Sequence, residues 1–298
     1  MGVSVDSSYF RRLSLCETIS RTLQVYKTGL WVFCQLSLLT LVVYALISAA
    51  ALMILMPALG MEDGADQMED PEYLMDHFAS FYILMGVDIL LVFLIGAVGN
   101  GAYVRAVADI TLQQDPVLKN CIQVGFQHAR VVLTASFVGG LGVMVGCILL
   151  YVPGVYLMVR WFLVNPVIVV EGLGAMAALK RSGELVSGSW CYVFCTYMVS
   201  ALVLTFLQLL WKGFVNYNLF TPLGSLVGHI PSVLGGPFLA IMMTIMYINL
   251  RVEKEGLNAE LFARNLGESD GGNPGETSYS SLISKDEEEV VTVTSETV

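Results

Sequence analysis

Long apolar runs and short polar connectors alternate along the chain, and the length of the runs is the first signal. Mostly apolar residues cover positions 30–57, 79–101, 131–151, 154–171, 190–212 and 230–250. A helix crosses a hydrocarbon core with about 20 such residues, and only helices or closed barrels pair all their backbone groups there. The pattern therefore predicts an all-α fold: a six-span transmembrane helical bundle built as three hairpins with short cytosolic amphipathic helices. Only Tyr151-Val152-Pro153-Gly154 separates the third run from the fourth. Pro-Gly suits the centre of a type II turn, Pro fixing φ and Gly supplying φ > 0. A tight hairpin is expected there, ahead of one long broken helix or a re-entrant pair, because each half is nearly long enough to span.

The connectors carry a pattern of their own. Ser14-Leu15-Cys16-Glu17 fits a capping box, followed by Leu15, Ile19, Leu23 and Tyr26 at helical spacing. Asp115-Pro116 reads as an N-cap and first helical residue leading into Val117, Ile122 and Phe126. Met176, Leu179, Gly183 and Val186 form one face of a third segment, with Lys180, Arg181 and Glu184 opposite. Each odd-numbered span is thus preceded by an amphipathic helix, expected to lie in the headgroup layer where anionic lipid attracts Lys and Arg.

Charge orients the chain. Of the 15 Lys and Arg residues, only Lys212 and Arg160 fall outside the N-terminal segment, the two even connectors and the C-terminal segment. The first outer loop, 58–78, has no Lys or Arg and carries Glu62, Asp63, Asp66, Glu69, Asp70, Glu72 and Asp76. Positive residues stay inside, so the protein is expected to be multi-pass with both ends cytosolic, in the plasma membrane or an endomembrane. Residues 1–29 form a cytosolic N-terminus, 30–266 the membrane domain, and 267–298 an acidic tail of disordered composition. Residues 1–27 lack the apolar core of a signal peptide, and Asp6 breaks the myristoylation pattern after Gly2.

Composition agrees with the runs. Hydrophobic residues make up 56% and charged residues 13% of the chain, against about 25% charged in soluble domains. The net charge of −10 resides in the outer loop and the tail, and it excludes the basic face that nucleic acid requires. Membrane lipids are the expected partners. In the tail, Tyr279 and Leu282 of Tyr279-Ser280-Ser281-Leu282 fit a Y-x-x-Φ sorting motif for cytosolic adaptor proteins, and Glu296-Thr297-Val298 is a weaker match to a PDZ ligand.

Ionisable groups at membrane depth are costly and point to function or to a specific partner. Asp88 in the second span and Arg160 in the fourth are expected at one level and therefore as an intramembrane charge pair. The pair serves either as a latch between helices or as the floor of a polar cavity for an anionic ligand or a gate, the second use making the protein a small-solute or lipid transporter. Gly142 and Gly146 form a GxxxG pair suited to close helix packing within the protein, with homodimerisation as the alternative. Asn165-Pro166 is expected to loosen the fourth helix.

No nucleotide-binding, zincin or serine-hydrolase motif is present, and no catalytic residue, cofactor or metal is expected. His77, His128 and His229 lie on separate connectors, while Cys191 and Cys195, with no His or acid beside them, read as small buried hydrophobes. The expected role is a non-enzymatic membrane scaffold or trafficking-linked adaptor.

Three segments carry a family likeness. They are Leu150-Tyr151-Val152-Pro153-Gly154-Val155-Tyr156-Leu157 with Val159-Arg160-Trp161 and Pro166 to Glu171-Gly172; Ala178-Leu179-Lys180-Arg181-Ser182 through Gly188 and Trp190; and Tyr247-Ile248-Asn249-Leu250-Arg251 with Glu255-Gly256. In this order they resemble the membrane domain attached to some bacterial glycerophosphoryl diester phosphodiesterases, over about residues 12–262. The resemblance implies a multi-span helical module without chemistry of its own, since activity in those proteins belongs to a separate barrel. The acidic outer loop and tail depart from the family pattern.

Overall fold

The computed structural model describes residues 13–58, 78–218 and 230–269, and every regular element among them is a helix. In chain order these are α1 (Leu15–Thr28), α2 (Leu30–Ala58), α3 (Phe78–Thr111), α4 (Leu118–Leu149), α5 (Tyr151–Arg160), α6 (Val164–Glu171), α7 (Ala175–Val186), α8 (Trp190–Asn218), α9 (Ile230–Glu255) and α10 (Ala259–Ser269). Six helical segments are long and apolar enough to cross a membrane, with α5 and α6 together making the fourth. The chain is an all-α, multi-pass membrane protein. The acidic outer loop, His77, His229 and the tail with Tyr279 and Leu282 lie outside the described residues.

Helix length divides the molecule into two layers. At about 1.5 Å per residue, the 34 residues of α3 and the 32 of α4 exceed a hydrocarbon core of about 30 Å by well over ten ångströms. Along α3 the exposed apolar side chains run from Phe78 to Leu94, whereas Ala97, Ala102, Val104, Val107, Ala108 and Ile110 are buried. On α4 the order reverses: Cys121, Val124, Gly125, His128 and Val132 are buried, and Leu141, Met144, Ile148 and Leu149 are exposed. One layer is thus a lipid-facing apolar band. The other is a packed layer made by α1, α6, α7, α10 and the adjoining ends of α3, α4 and α9.

The helix at the centre is α9, the least apolar of the six spans and the most enclosed. Of its most apolar window 78% is buried, against none of the corresponding window of α2. Lipid solvates apolar side chains as well as protein does, so polar residues are what is drawn to the interior. Thr244, Tyr247, Asn249 and Arg251 of α9 are all buried and hydrogen-bonded.

Several expectations change at the level of local structure. The Ser14–Glu17 capping box forms in both directions, with Glu17 N–H donating to Ser14 Oγ and Ser14 N–H to Glu17 Oε2 at 2.9 Å. The helix it starts packs against a span along its whole length. It runs antiparallel to α9, from Leu13 beside Asn249 to Tyr26, whose hydroxyl donates to the Leu234 carbonyl at 2.9 Å. Its inward face is Thr18, Thr22 and Val25, while Leu23 is exposed. Thr18 and Thr22 donate their hydroxyls to carbonyls one turn back, at 2.9 and 2.8 Å, and Thr22 so packs as a β-branched apolar residue.

The second expected interfacial helix has no separate existence, because residues 118–131 are the opening turns of α4. That helix begins at Leu118 after an uncapped Val117 instead of at Asp115-Pro116. The contacts also do not single out three hairpins: α3 and α4, from different expected hairpins, share the largest interface. Pro153-Gly154 is not a turn either. The reversal is made by one extended residue, Leu150 (φ −162°, ψ 119°), and Pro153 and Gly154 sit in the first turn of α5, where a missing N–H costs nothing. Cys191 and Cys195, expected to be buried, are exposed on α8.

The fourth span breaks at Trp161-Phe162-Leu163. Pro166 lies in the first turn of α6 and lacks the N–H that would reach back to Phe162, so the helix is interrupted one turn before it. Buried Ser182 of α7 bridges the gap, accepting from Leu163 N–H at 3.2 Å and donating to the Arg160 carbonyl at 2.9 Å. Ser182→Ala is expected to lower the unfolding free energy by about 1–3 kcal/mol, because it leaves a buried N–H unpaired. Denaturant unfolding of the detergent-solubilised protein measures this.

Candidate functional site

Among the described residues, the densest arrangement of ionisable groups lies in the packed layer, where α6, α7 and α9 meet. Glu171 ends α6, and Gly172 follows it in the left-handed conformation (φ 64°) that a side chain would oppose. That turn sends the chain into α7, which brings Arg181 back to Glu171, Nε to Oε2 at 2.9 Å. On α9, Tyr247, Arg251 and Glu255 are spaced by four and share one face. Arg251 donates to Tyr247 Oη and to Glu255 Oε2, both at 2.9 Å, and Tyr247 donates to Glu171 Oε1 at 2.9 Å.

Cross-links close the arrangement. Arg181 Nη2 reaches Glu255 Oε1 at 2.5 Å, and Arg251 Nη1 lies 3.7 Å from Glu171 Oε1. Asn265 of α10, with its amide oxygen turned toward Arg251, accepts from Nη1 at 3.0 Å. Two guanidiniums and two carboxylates thus neutralise one another around a fully buried Tyr247. Burial of Arg181 opposes its charge, yet Glu171 and Glu255 outweigh that and hold its pKa above the ordinary arginine value. Gly256, again left-handed at φ 64°, ends α9 and starts the turn into α10.

A second set fastens α1. Asn249 Oδ1 accepts from Leu13 N–H at 2.8 Å, and its Nδ2 donates to the Leu13 carbonyl at 3.3 Å and to Tyr192 Oη at 2.8 Å. Tyr192 Oη in turn shares a 2.6 Å hydrogen bond with Thr18.

No family model, curated protein or solved structure matches the chain.

The expected pair of Asp88 and Arg160 does not form. Asp88 accepts from the Tyr44 hydroxyl of α2 at 2.7 Å, and Arg160 donates to Tyr156, one turn back on its own helix, at 3.2 Å. The reason is which helices become neighbours. Asp88 faces α2, whereas α5 packs on α4, α7 and α8. The break after Arg160 also places it beside α7. A Cβ on Gly183 would stand 2.6 Å from Arg160 Nε, so this glycine makes room for the guanidinium.

Gly142 and Gly146 both serve packing between α4 and α5. A Cβ on Gly142 would lie 2.6 Å from the Trp161 ring, and one on Gly146 would lie 2.9 Å from Gly154 Cα. The face that homodimerisation would use is therefore occupied within the chain. Among the described residues, no group of three His, Cys, Asp or Glu side chains is arranged to hold a metal ion.

Two features were not anticipated. Arg105 and Asp109, four apart on α3, form a buried ion pair at 3.1 Å with side chains 4% and 5% exposed. The spacing was visible, but the second span was expected to end near 101, which placed both residues in a connector. The helix α10 packs Phe262, Ala263 and Leu266 into the main core beside Leu257 of the preceding turn, and is started by Asn258, whose Oδ1 accepts from Leu261 N–H at 2.8 Å. That Asn cap followed by apolar residues was the available signal.

Proposed function

We propose that the protein is a non-enzymatic membrane scaffold with both termini in the cytosol, whose packed layer supports a tail that recruits trafficking adaptors. The observation that supports this reading most is the closed lattice of Glu171, Arg181, Tyr247, Arg251 and Glu255. Its acids and bases are turned on one another, and they do not line the cavities beside Asp88, Tyr44 or Ser14. A catalytic acid or base needs an open side toward substrate. The likeness to the phosphodiesterase-associated membrane domain belongs to the same proposal. The three segments that carry it supply Glu171, then Arg181 and Ser182, then Tyr247, Asn249, Arg251 and Glu255, and each of these residues holds helices together.

Imaging of the tagged full chain and of a chain lacking residues 267–298 tests the proposal. The deletion is expected to leave membrane insertion intact and to redistribute the protein among membranes, with Tyr279→Ala reproducing most of the change. An unchanged distribution, together with solute flux in proteoliposomes that Asp88→Asn abolishes, would replace the scaffold with a transporter.

A further inference from the structure

Asp88 stands in the middle of the lipid-facing band, ten residues from the start of the described part of α3. Its side chain is exposed, and its neighbours Ile89, Leu90, Val92 and Phe93 are exposed apolar residues. Tyr44, which donates to Asp88 Oδ1 at 2.7 Å, lies midway along the 29 residues of α2. Among the described residues Tyr44 is the one hydrogen-bond partner of this carboxylate, which makes no ion pair there and whose Oδ2 accepts from none of them. An ionisable group at this depth points to a partner.

The surroundings have the shape of a site. A crevice of about 260 Å³ opens between α2 and α3, bounded by Ser48, Leu52, Leu84, Met85, Asp88 and Leu91. Across Tyr44 a second cavity of about 310 Å³ carries the hydroxyls of Ser37, Thr40 and Tyr103. Each is near the lower end of the range for small-ligand sites, about 300–1,000 Å³. That volume suits one chain end and excludes a whole two-chain lipid.

We infer that the crevice at Asp88 binds an amine-bearing amphiphile, a protonated primary amine on a single hydrocarbon chain. An ammonium has three donors. Asp88 Oδ2 takes the charge, and Ser48 Oγ, which already donates to the Ala45 carbonyl at 3.2 Å, keeps lone pairs to accept. The apolar walls hold the first carbons, and the rest of the chain lies along the exposed faces of α2 and α3. A carboxylate head would be repelled by Asp88, and an alcohol of equal chain length gains nothing from its charge. This inference is independent of the scaffold reading.

Titration of the detergent-solubilised full chain with dodecylamine, dodecanol and dodecanoate, read as the thermal midpoint and by native mass spectrometry, tests it. Dodecylamine is expected to raise the midpoint saturably, and the other two are not. Asp88→Asn should weaken amine binding about tenfold or more, the loss of one charge-assisted contact, without lowering its own midpoint. Ser48→Leu fills the crevice, keeps the carboxylate and should abolish the amine response. Equal responses to amine and alcohol, or an unchanged affinity in either variant, overturn the inference. A wild-type oligomer that Asp88→Asn dissociates, with no amine response, also overturns it and assigns Asp88 to a basic residue of a partner helix.

Discussion

Truncation of Arg251 to alanine is expected to lower the unfolding free energy by about 3–5 kcal/mol, the cost of breaking a buried ion pair by removing one partner. The side chain is only 7% exposed and donates to Tyr247, to Glu255 and, with its amide turned, to Asn265. Without it, Glu171 and Glu255 share Arg181 as their remaining guanidinium in the lattice, and Asn265 of α10 loses its contact with α9. Arg251→Lys keeps the charge but not the planar fork, so an intermediate loss is expected. A double-mutant cycle with Glu255→Gln should show a coupling well away from additivity, because both residues belong to one network. Denaturant unfolding in detergent reads all three, and a loss below about 1 kcal/mol for Arg251→Ala would place the pair with weak surface ion pairs.

Gly125→Leu is expected to cost about 3 kcal/mol, the upper end of the range for overpacking a core, and to reduce folded yield. A Cβ at Gly125 would stand 2.5 Å from the Val98 carbonyl oxygen and 3.2 Å from Ala102 N, and one on Gly101 would lie 2.9 Å from Gly125 Cα. The obstruction is backbone, which cannot rotate aside as a side chain does. Separation of α3 from α4 relieves it, and among the described helices these two pack together most extensively. Gly140 on the same helix is the control, since nothing lies within 4 Å of a Cβ placed there. Gly140→Ala should therefore be neutral or stabilising, by at most about 1 kcal/mol. Comparable losses at the two positions would overturn close approach as the cause, because both substitutions raise helix propensity.

Several elements could be read directly because their causes are local. The capping box at Ser14 and Glu17 depends on residues three apart and forms as expected. The six apolar runs each meet a bilayer's length requirement without reference to one another. The low apolarity of the sixth run could also have been read further, since in lipid the least apolar span belongs inside. Local rules failed where a second element competed for the same residues. Leu15, Ile19, Leu23 and Tyr26 form a recognisable apolar stripe, yet Thr18, Thr22 and Val25 are the buried face, the threonine hydroxyls bonding carbonyls of their own helix and Thr18 also meeting Tyr192 of α8. Pro153-Gly154 has the composition of a turn, but Gly154 is needed where it packs on α4. A Cβ there would stand 2.7 Å from Cys147 N.

The charged residues show the same division. Their presence, and the need for each to find a partner, follow from the sequence and the cost of charge in hydrocarbon. The identity of the partners does not. Asp88 and Arg160 were matched by depth along separate helices, a one-dimensional measure that assumes straight, unbroken spans. The break at residues 161–163 carries Arg160 to α7, and Tyr44 meets Asp88 from a helix whose rotation the apolar pattern leaves open. Glu171 and Arg181, ten residues apart and joined through the left-handed Gly172, were within local reach. Their connection to Tyr247, Arg251 and Glu255 was not.

The sequence alone therefore determined the class of the protein and its six spans, because hydrophobic length and backbone satisfaction are properties of each segment in its solvent. Only the tertiary structure decided which faces meet and how the polar groups pair. Those outcomes depend on how closely helices approach at glycines such as Gly125 and Gly154, and on side chains brought together from distant parts of the chain.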